Sequence, residues 1–146
     1  MTWYYKDSVF ESEHIGDYVG FVYLIERLRD GKKYIGKKLF GSKRVLTRGG
    51  KKRKVHKESD WKSYFGSNAE LVESVQAEGQ EGFKRVILYL CNSKGVMSYL
   101  ELKEQILSDA LLREDYFNSF VGGKIHSKHV RELWLANNTL VEQKAR

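Results

Sequence analysis

"VYLIERLRDGKKYIGKKLFGSKR", residues Val22 to Arg44, is the stretch whose reading decides the fold. With the preceding "YVGF" it opens on a run of β-branched and aromatic residues at 18–26, apolar on both alternating faces, as expected of a strand covered on both sides. "RDGK" at 29–32 is a hairpin turn signal, and "KYIGKKLF" is the returning strand. The stretch holds two tyrosines, Tyr23 and Tyr34, whose relation depends on hairpin register. A two-residue loop at Asp30-Gly31 puts Tyr34 opposite Arg27, two pairs from Tyr23 on one face. A three-residue loop with a Gly bulge puts the phenols on opposite faces. A four-residue loop over Leu28–Gly31 puts Tyr34 opposite Ile25 and makes the phenols neighbours.

Outward from this hairpin the chain continues as helix, strand, helix. "SNAELVESVQAEG" (67–79) reads as a helix with a Ser-x-x-Glu capping box at Ser67 and Glu70 and a stop at Gly79. "FKRVILYLC" (83–91) is a third strand, and "SYLELKEQILSDALL" (98–112) a second helix opening with Ser98 and Glu101. Residues 126–144 are weakly helical, with Val130, Leu133, Trp134 and Val141 available to dock. No repeat or linker interrupts the order. The expectation is a single α+β domain over 1–146 with a small three-stranded antiparallel sheet flanked by helices.

Charge is segregated along the 146 residues. From Arg27 to Lys57 there are fourteen Lys/Arg and one acid, Asp30, whereas the remainder carries twelve Lys/Arg against eighteen acids. A cationic third on an otherwise acidic chain is a directional surface for a polyanion. Residues 41–58 are Gly-, Lys- and Arg-rich without periodicity and read as an extended basic loop. Within it "RGGKKRKVHK" resembles a localisation signal as much as a nucleic-acid arm. The single cysteine, Cys91, lies in an apolar run and reads as a buried thiol in a reducing compartment. No apolar run is long enough to span a bilayer, and the N-terminus lacks a signal-peptide layout. The expectation is a soluble, cytoplasmic protein with no membrane partner. His126 and His129 lack acidic or cysteine companions at ligand spacing and read as surface residues; Trp61 and Tyr64 suit core packing more than base stacking.

"FVY", a ten-residue spacer and "YIG" together resemble the paired signature of the GIY-YIG nuclease superfamily, and the element order agrees with that fold. "YIGKK", "ESDWKSYFGS", "SYLELK" and "DYFNSFVGGK" look most like the phage Seg-type, free-standing homing endonucleases. The motif-bearing part is about 18–124, followed by a C-terminal segment at 125–146. Only the tyrosine of "GIY" carries over, because this chain has "FVY" after Gly20.

The resemblance implies a metal-dependent endodeoxyribonuclease, phage-encoded and working in the bacterial host cytoplasm on double-stranded DNA. Tyr23 would be the general base or water-orienting group, its phenolate stabilised by the metal and by the cations of "KKYIGKK", and Tyr34 would bond the water or phosphate. Gly36 would let backbone approach the substrate closely. Arg44 would pair with a phosphate oxygen, with Lys37, Lys38, Lys43 and Arg48 competing for that role; Lys51, Lys52, Arg53 and Lys54 would track the backbone. Glu101 would be the one protein ligand to Mg²⁺ or Mn²⁺, against the local reading in which it closes a capping box; Glu104, one turn on, is the alternative ligand. Asn118 would orient metal or substrate, or else terminate a turn. Cutting both strands would call for a homodimer. The competing expectation is a non-catalytic nucleic-acid-binding module on the same fold.

Overall fold

Trp3–Tyr5 (β1) and Ser8–Phe10 (β2) bury Trp3 and Phe10 and are joined by Lys6-Asp7, where both turn residues have positive φ, +48° and +65°. This tight hairpin was not anticipated, because its strands are three residues each and its turn lacks glycine. In the computed structural model it joins Gly20–Arg27 (β3), Lys33–Leu39 (β4) and Phe83–Cys91 (β7) in one sheet of order β2-β1-β7-β3-β4. Gly41–Arg48 (β5) and Lys51–Glu58 (β6) pair only with each other, as do Phe120–Val121 (β8) and Ile125–His126 (β9). Ala69–Glu78 (α1) and Lys94–Leu107 (α2) complete the α+β domain. The structure describes residues 2–122 and 125–127. The weakly helical reading of 126–144 lies almost entirely outside them.

The three expected antiparallel strands are present as β7-β3-β4. The sheet is nevertheless five-stranded and mixed, because β1 adds to β7 in parallel, with Trp3 opposite Arg85. The physical reason is burial. Trp3 and Phe10 fill the open side of the aromatic layer formed by Phe21, Tyr23, Phe40 and Trp61. Trp3 meets Phe21 and Tyr23 edge-on at 5.0 and 5.2 Å, and Phe40 meets Trp61 at 5.3 Å, within the range where aromatic pairs add to simple area burial. Trp61 is core, as its sequence context suggested. The other face of the sheet packs Val22, Ile35 and Cys91 against Met97 of α2. Both faces of β3 are therefore covered.

Two helix starts differ from the capping boxes read in the sequence. α1 begins one residue later, with the Asn68 side chain accepting from Leu71 N–H. α2 begins at Lys94, capped by Ser93 accepting from Val96 N–H. It ends at Leu107, short of the expected Leu112, where Asp109 turns the chain at φ +53°. Ser67 and Ser98 are thus not caps, and Glu101 stands inside α2, two turns past its start. Ser-x-x-Glu misled because Asn68 and Ser93, equally good capping residues, lie nearby and are better placed relative to the strands.

The segment 41–58 is also not a loop. β5 and β6 pair over their full length, from Gly41 with Glu58 to Arg48 with Lys51. Gly49 and Gly50 form the two-residue turn at φ +58° and +78°, the positive angles that a tight hairpin turn requires.

The outer edge of β4 is closed by residues 115–118, which run parallel to it. Lys33 N–H donates to Asp115 C=O at 2.9 Å, and Phe117 N–H donates to Lys33 C=O at 2.7 Å. Next along, Asn118 imitates a strand residue with its side chain: Oδ1 accepts from Ile35 N–H at 3.0 Å and Nδ2 donates to Ile35 C=O at 2.8 Å. Gln105 Nε2 also donates to that carbonyl at 3.0 Å. Such edge closure removes a row of free pairing groups. Among the described residues no helix is long and apolar enough to cross a membrane.

Candidate active site

Hairpin register is the first determinant of the site. Ile25 pairs with Tyr34 and Tyr23 with Gly36, so the loop is the four-residue one over Leu28–Gly31. Asp30 ties it by bonding the Arg27 guanidinium, which holds its carboxyl well below the usual range. The two phenols are neighbours on one face, with ring centroids 6.2 Å apart. A bulge in the β3–β7 pairing between Val22 and Tyr23 falls at this point; bulges re-aim side chains and recur beside active sites.

Gly36 is what lets Tyr23 lie there. A Cβ at Gly36 would come 2.5 Å from Tyr23 Cζ, nearer still to its hydroxyl, and 3.0 Å from Tyr34 Cε1. The Tyr23 ring crosses β4 through the gap the missing side chain leaves. Its third neighbour is Tyr64, edge-on at 6.0 Å. Tyr64 is itself held from behind: the buried Arg85, between the rings of Trp3 and Phe65, donates to Tyr64 C=O at 2.8 Å. Burial pushes the Arg85 guanidinium down to about 10.

The electrostatics differ from the expectation of a basic field lowering the Tyr23 pKa. Tyr23 is 1% exposed, and burial first, then Tyr34, Tyr64 and Glu101, raise it well above the ordinary phenol value. Tyr34 is raised as well, by burial, against the opposing effect of its hydrogen bond with Ser67 at 3.1 Å. The cations that should have lowered these values are engaged elsewhere. Lys37 Nζ donates to Ser98 Oγ at 2.8 Å and lies 3.9 Å from Glu101. Lys38 Nζ pairs with Asp60 at 2.6 Å and covers the Tyr64 ring at 4.2 Å.

Glu101 reaches this cluster from α2. Burial raises its carboxyl pKa, with Lys37 opposing. Because Ser93 caps the helix, the carboxylate is not consumed by backbone N–H groups. No group of three or more His, Cys, Asp or Glu able to hold a metal occurs among the described residues. One carboxylate, already balanced by an ammonium and partly open at 19% side-chain exposure, fits a hard divalent ion that keeps most of its shell as water. It does not fit a closed protein cage. Glu104, the alternative ligand, receives the Tyr89 hydroxyl at 2.6 Å on the same helix.

A family model described as "Putative endonuclease segE, GIY-YIG domain" matches residues 3–121. The chain belongs to this Seg-type GIY-YIG endonuclease family. The match begins at Trp3, so the β1-β2 hairpin is part of the Seg-type domain rather than an addition to it. The comparisons with curated proteins and with solved structures found no match.

Within this Seg-type domain the structure brings together Tyr23, Tyr34, Gly36, Lys37 and Glu101. It leaves others apart. Arg44, Lys43, Arg48 and Lys51–Lys54 all belong to the β5-β6 hairpin, where Arg44 pairs with Val55; the side chains of 43–46 and 53–56 lie outside the described set. Asn118 gives both atoms of its amide to Ile35, between Tyr34 and Gly36. It therefore positions the strand that carries the site. Replacing Asn118 with Leu should lower unfolding stability by about 2–4 kcal/mol, because a buried backbone pair loses its partner. Urea denaturation would show this as a lower midpoint with unchanged slope. Tyr64, Ser67 and Ser98 were not read as site residues. The two serines had been assigned to caps, and only the "DWKSYFGS" segment pointed toward Tyr64.

Proposed function

We propose that this domain is a divalent-metal-dependent DNA endonuclease that hydrolyses phosphodiester bonds at the Tyr23–Tyr34–Glu101 cluster. The observation that carries this reading is two neighbouring phenols packed over Gly36 with an uncapped carboxylate, Glu101, in electrostatic reach of both. A binding module requires neither buried phenols nor a carboxylate near them.

Phosphodiester hydrolysis needs an oriented water, stabilisation of charge on the phosphate oxygens, and a proton for the leaving group. Glu101 would hold Mg²⁺ or Mn²⁺, which supplies Lewis-acid stabilisation of the phosphate when bound. Tyr23 orients the attacking water and, in its phenolate form, takes the proton as the water oxygen bonds to phosphorus. Tyr34, anchored by Ser67, bonds a phosphate oxygen or the same water. Lys37, released from Glu101, is near enough to meet the phosphate. Arg44 and the other hairpin cations hold the duplex. The Seg-type match supports a phage-encoded enzyme with a homing or nicking role in the host cytoplasm, with a homodimer where both strands are cut.

The test is relaxation of supercoiled plasmid with Mg²⁺, Mn²⁺ or EDTA, alongside Glu101→Gln. Cleavage requiring the metal and lost in Glu101→Gln, with gel-shift binding retained, is expected. Salt-sensitive binding without cleavage under either metal would instead favour the non-catalytic module.

The raised pKa values also predict a pH profile. At neutral pH a phenol held above its ordinary value is protonated, so the fraction able to accept a proton grows as pH rises. Glu101, raised too, loses ionised population on the acid side sooner than an exposed carboxylate. Cleavage at saturating metal should therefore increase from pH 6 to pH 9, by as much as about tenfold per unit on the alkaline side. A profile flat across that range would remove Tyr23 from the proton-transfer role.

A further inference from the structure

The β5-β6 hairpin has no place in the sheet. Its strands of eight residues extend about 26 Å. The described residues from Thr47 to Lys52 are exposed throughout. It holds eight Lys/Arg and one acid, Glu58. That acid stands at the root, where its carboxylate accepts from Trp61 Nε1 and from Ser12 Oγ, both at 2.6 Å. Ser59 closes the same root, its N–H donating to Phe40 C=O at 2.7 Å and its Oγ to Leu39 C=O at 2.6 Å. The only negative charge thus anchors the ribbon to the aromatic core, and everything beyond it is neutral or cationic. The tip is Gly49-Gly50, without side chains, flanked by Arg48 paired with Lys51.

We propose that this ribbon enters the major groove of duplex DNA and is the part of the protein that reads the substrate beyond the cut phosphate. This rests on the reading of duplex DNA as the substrate. A two-stranded ribbon, with strands about 4.8 Å apart, fits a major groove about 12 Å wide and is too broad for the minor groove of about 6 Å. The residues 41–58 include no Phe, Tyr or Trp. Single-stranded nucleic acid is gripped by aromatic stacking platforms, and a membrane surface by inserted apolar or aromatic residues on an amphipathic face. The ribbon offers neither. It offers cations on both strands, opposed as Arg48 and Lys51 beside the tip, and a turn narrow enough to reach the groove floor. Thirteen residues separate Gly36 from the tip at Gly49, a reach of at most about 43 Å along extended chain. Base contacts therefore fall within about 43 Å of the cleaved phosphate, a little over one helical turn of about 35 Å.

The experiment measures binding in EDTA, where cleavage does not intervene. Two duplexes of about 25 bp, a little over two turns, are compared. One is unmodified; the other carries a bulky neutral substituent on cytosine C5, which fills the major groove and leaves phosphates and minor groove unchanged. Wild type is expected to bind the filled duplex at least ~10-fold more weakly. The exposed-residue variant Arg48→Ser/Lys51→Ser/Lys52→Ser is expected to bind both equally. Its log–log salt slope should be shallower by about 2.7, from about 0.9 per phosphate contact. Equal binding of both duplexes by wild type overturns the proposal, as does discrimination that survives in the triple variant. Mg²⁺ is then added to the unmodified duplex and to plasmid. Groove discrimination without cleavage removes the endonuclease reading and leaves the ribbon standing; cleavage without discrimination removes the ribbon alone. Failure to bind either duplex overturns both.

Discussion

Tyr23→Phe should lower the cleavage rate by about 10² to 10⁴-fold, the range for losing a positioned acid–base group, while DNA binding stays within about twofold of wild type. The substitution keeps the ring, and the ring supplies the packing. Trp3 at 5.2 Å and Tyr64 at 6.0 Å contact the aromatic face and edge, so the core is retained. What disappears is a hydroxyl that lies over Gly36 and is hydrogen-bonded with Tyr64. Single-turnover cleavage with saturating enzyme separates the chemical step from binding. Undiminished cleavage in Tyr23→Phe would transfer the water-activating role to Tyr34 or Tyr64. In that case Tyr34→Phe, which breaks the bond with Ser67, becomes the informative variant.

Gly36→Ala should be at least as damaging to activity and, unlike Tyr23→Phe, should also destabilise the fold. The added methyl would sit 2.5 Å from Tyr23 Cζ and 3.0 Å from Tyr34 Cε1. β4 cannot withdraw, because Asn118 and Gln105 hold Ile35 from its outer side. The phenols must therefore move. Forcing an extra carbon into a packed site costs about 1–3 kcal/mol, readable by thermal or urea unfolding. Loss of activity should exceed 100-fold, as expected when a proton-transfer group is misplaced. The double variant separates the causes. Residues in contact give non-additive effects, so adding Gly36→Ala to Tyr23→Phe should reduce activity little further. Full additivity would mean that Gly36 matters for approach of the DNA backbone rather than for room beneath Tyr23.

Much of this was legible in the residues. The Asp-Gly turn, the strand character of 18–26 and the spacing from Tyr23 to Tyr34 follow from local conformational preference and period-two patterning. The same patterning identified 83–91 as a strand. Glycine-rich, lysine-rich composition at 41–58 declared an exposed cationic segment, but it concealed a paired ribbon. Its Gly-Gly turn was the available signal, outweighed by the absence of alternating apolar residues. That absence has a physical cause: a ribbon paired with no other strand, its described residues 47–52 all exposed, needs no apolar face.

The sequence by itself determined three things about this protein: two strands joined by a tight turn, a basic segment beyond them, and a helix bearing Glu101 after a third strand. These depend on interactions between residues close along the chain. Only the tertiary structure decided what those residues do to one another. Register chose neighbouring phenols over opposed ones. Trp3 and Phe10 closed the aromatic layer from the far end of the domain. Burial turned an expected lowering of the Tyr23 pKa into a rise, and Ser93 rather than Ser98 capped α2, leaving the Glu101 carboxylate uncapped and in electrostatic reach of the phenols. In these outcomes burial and competition for hydrogen-bond partners outweigh the preferences that each residue has on its own.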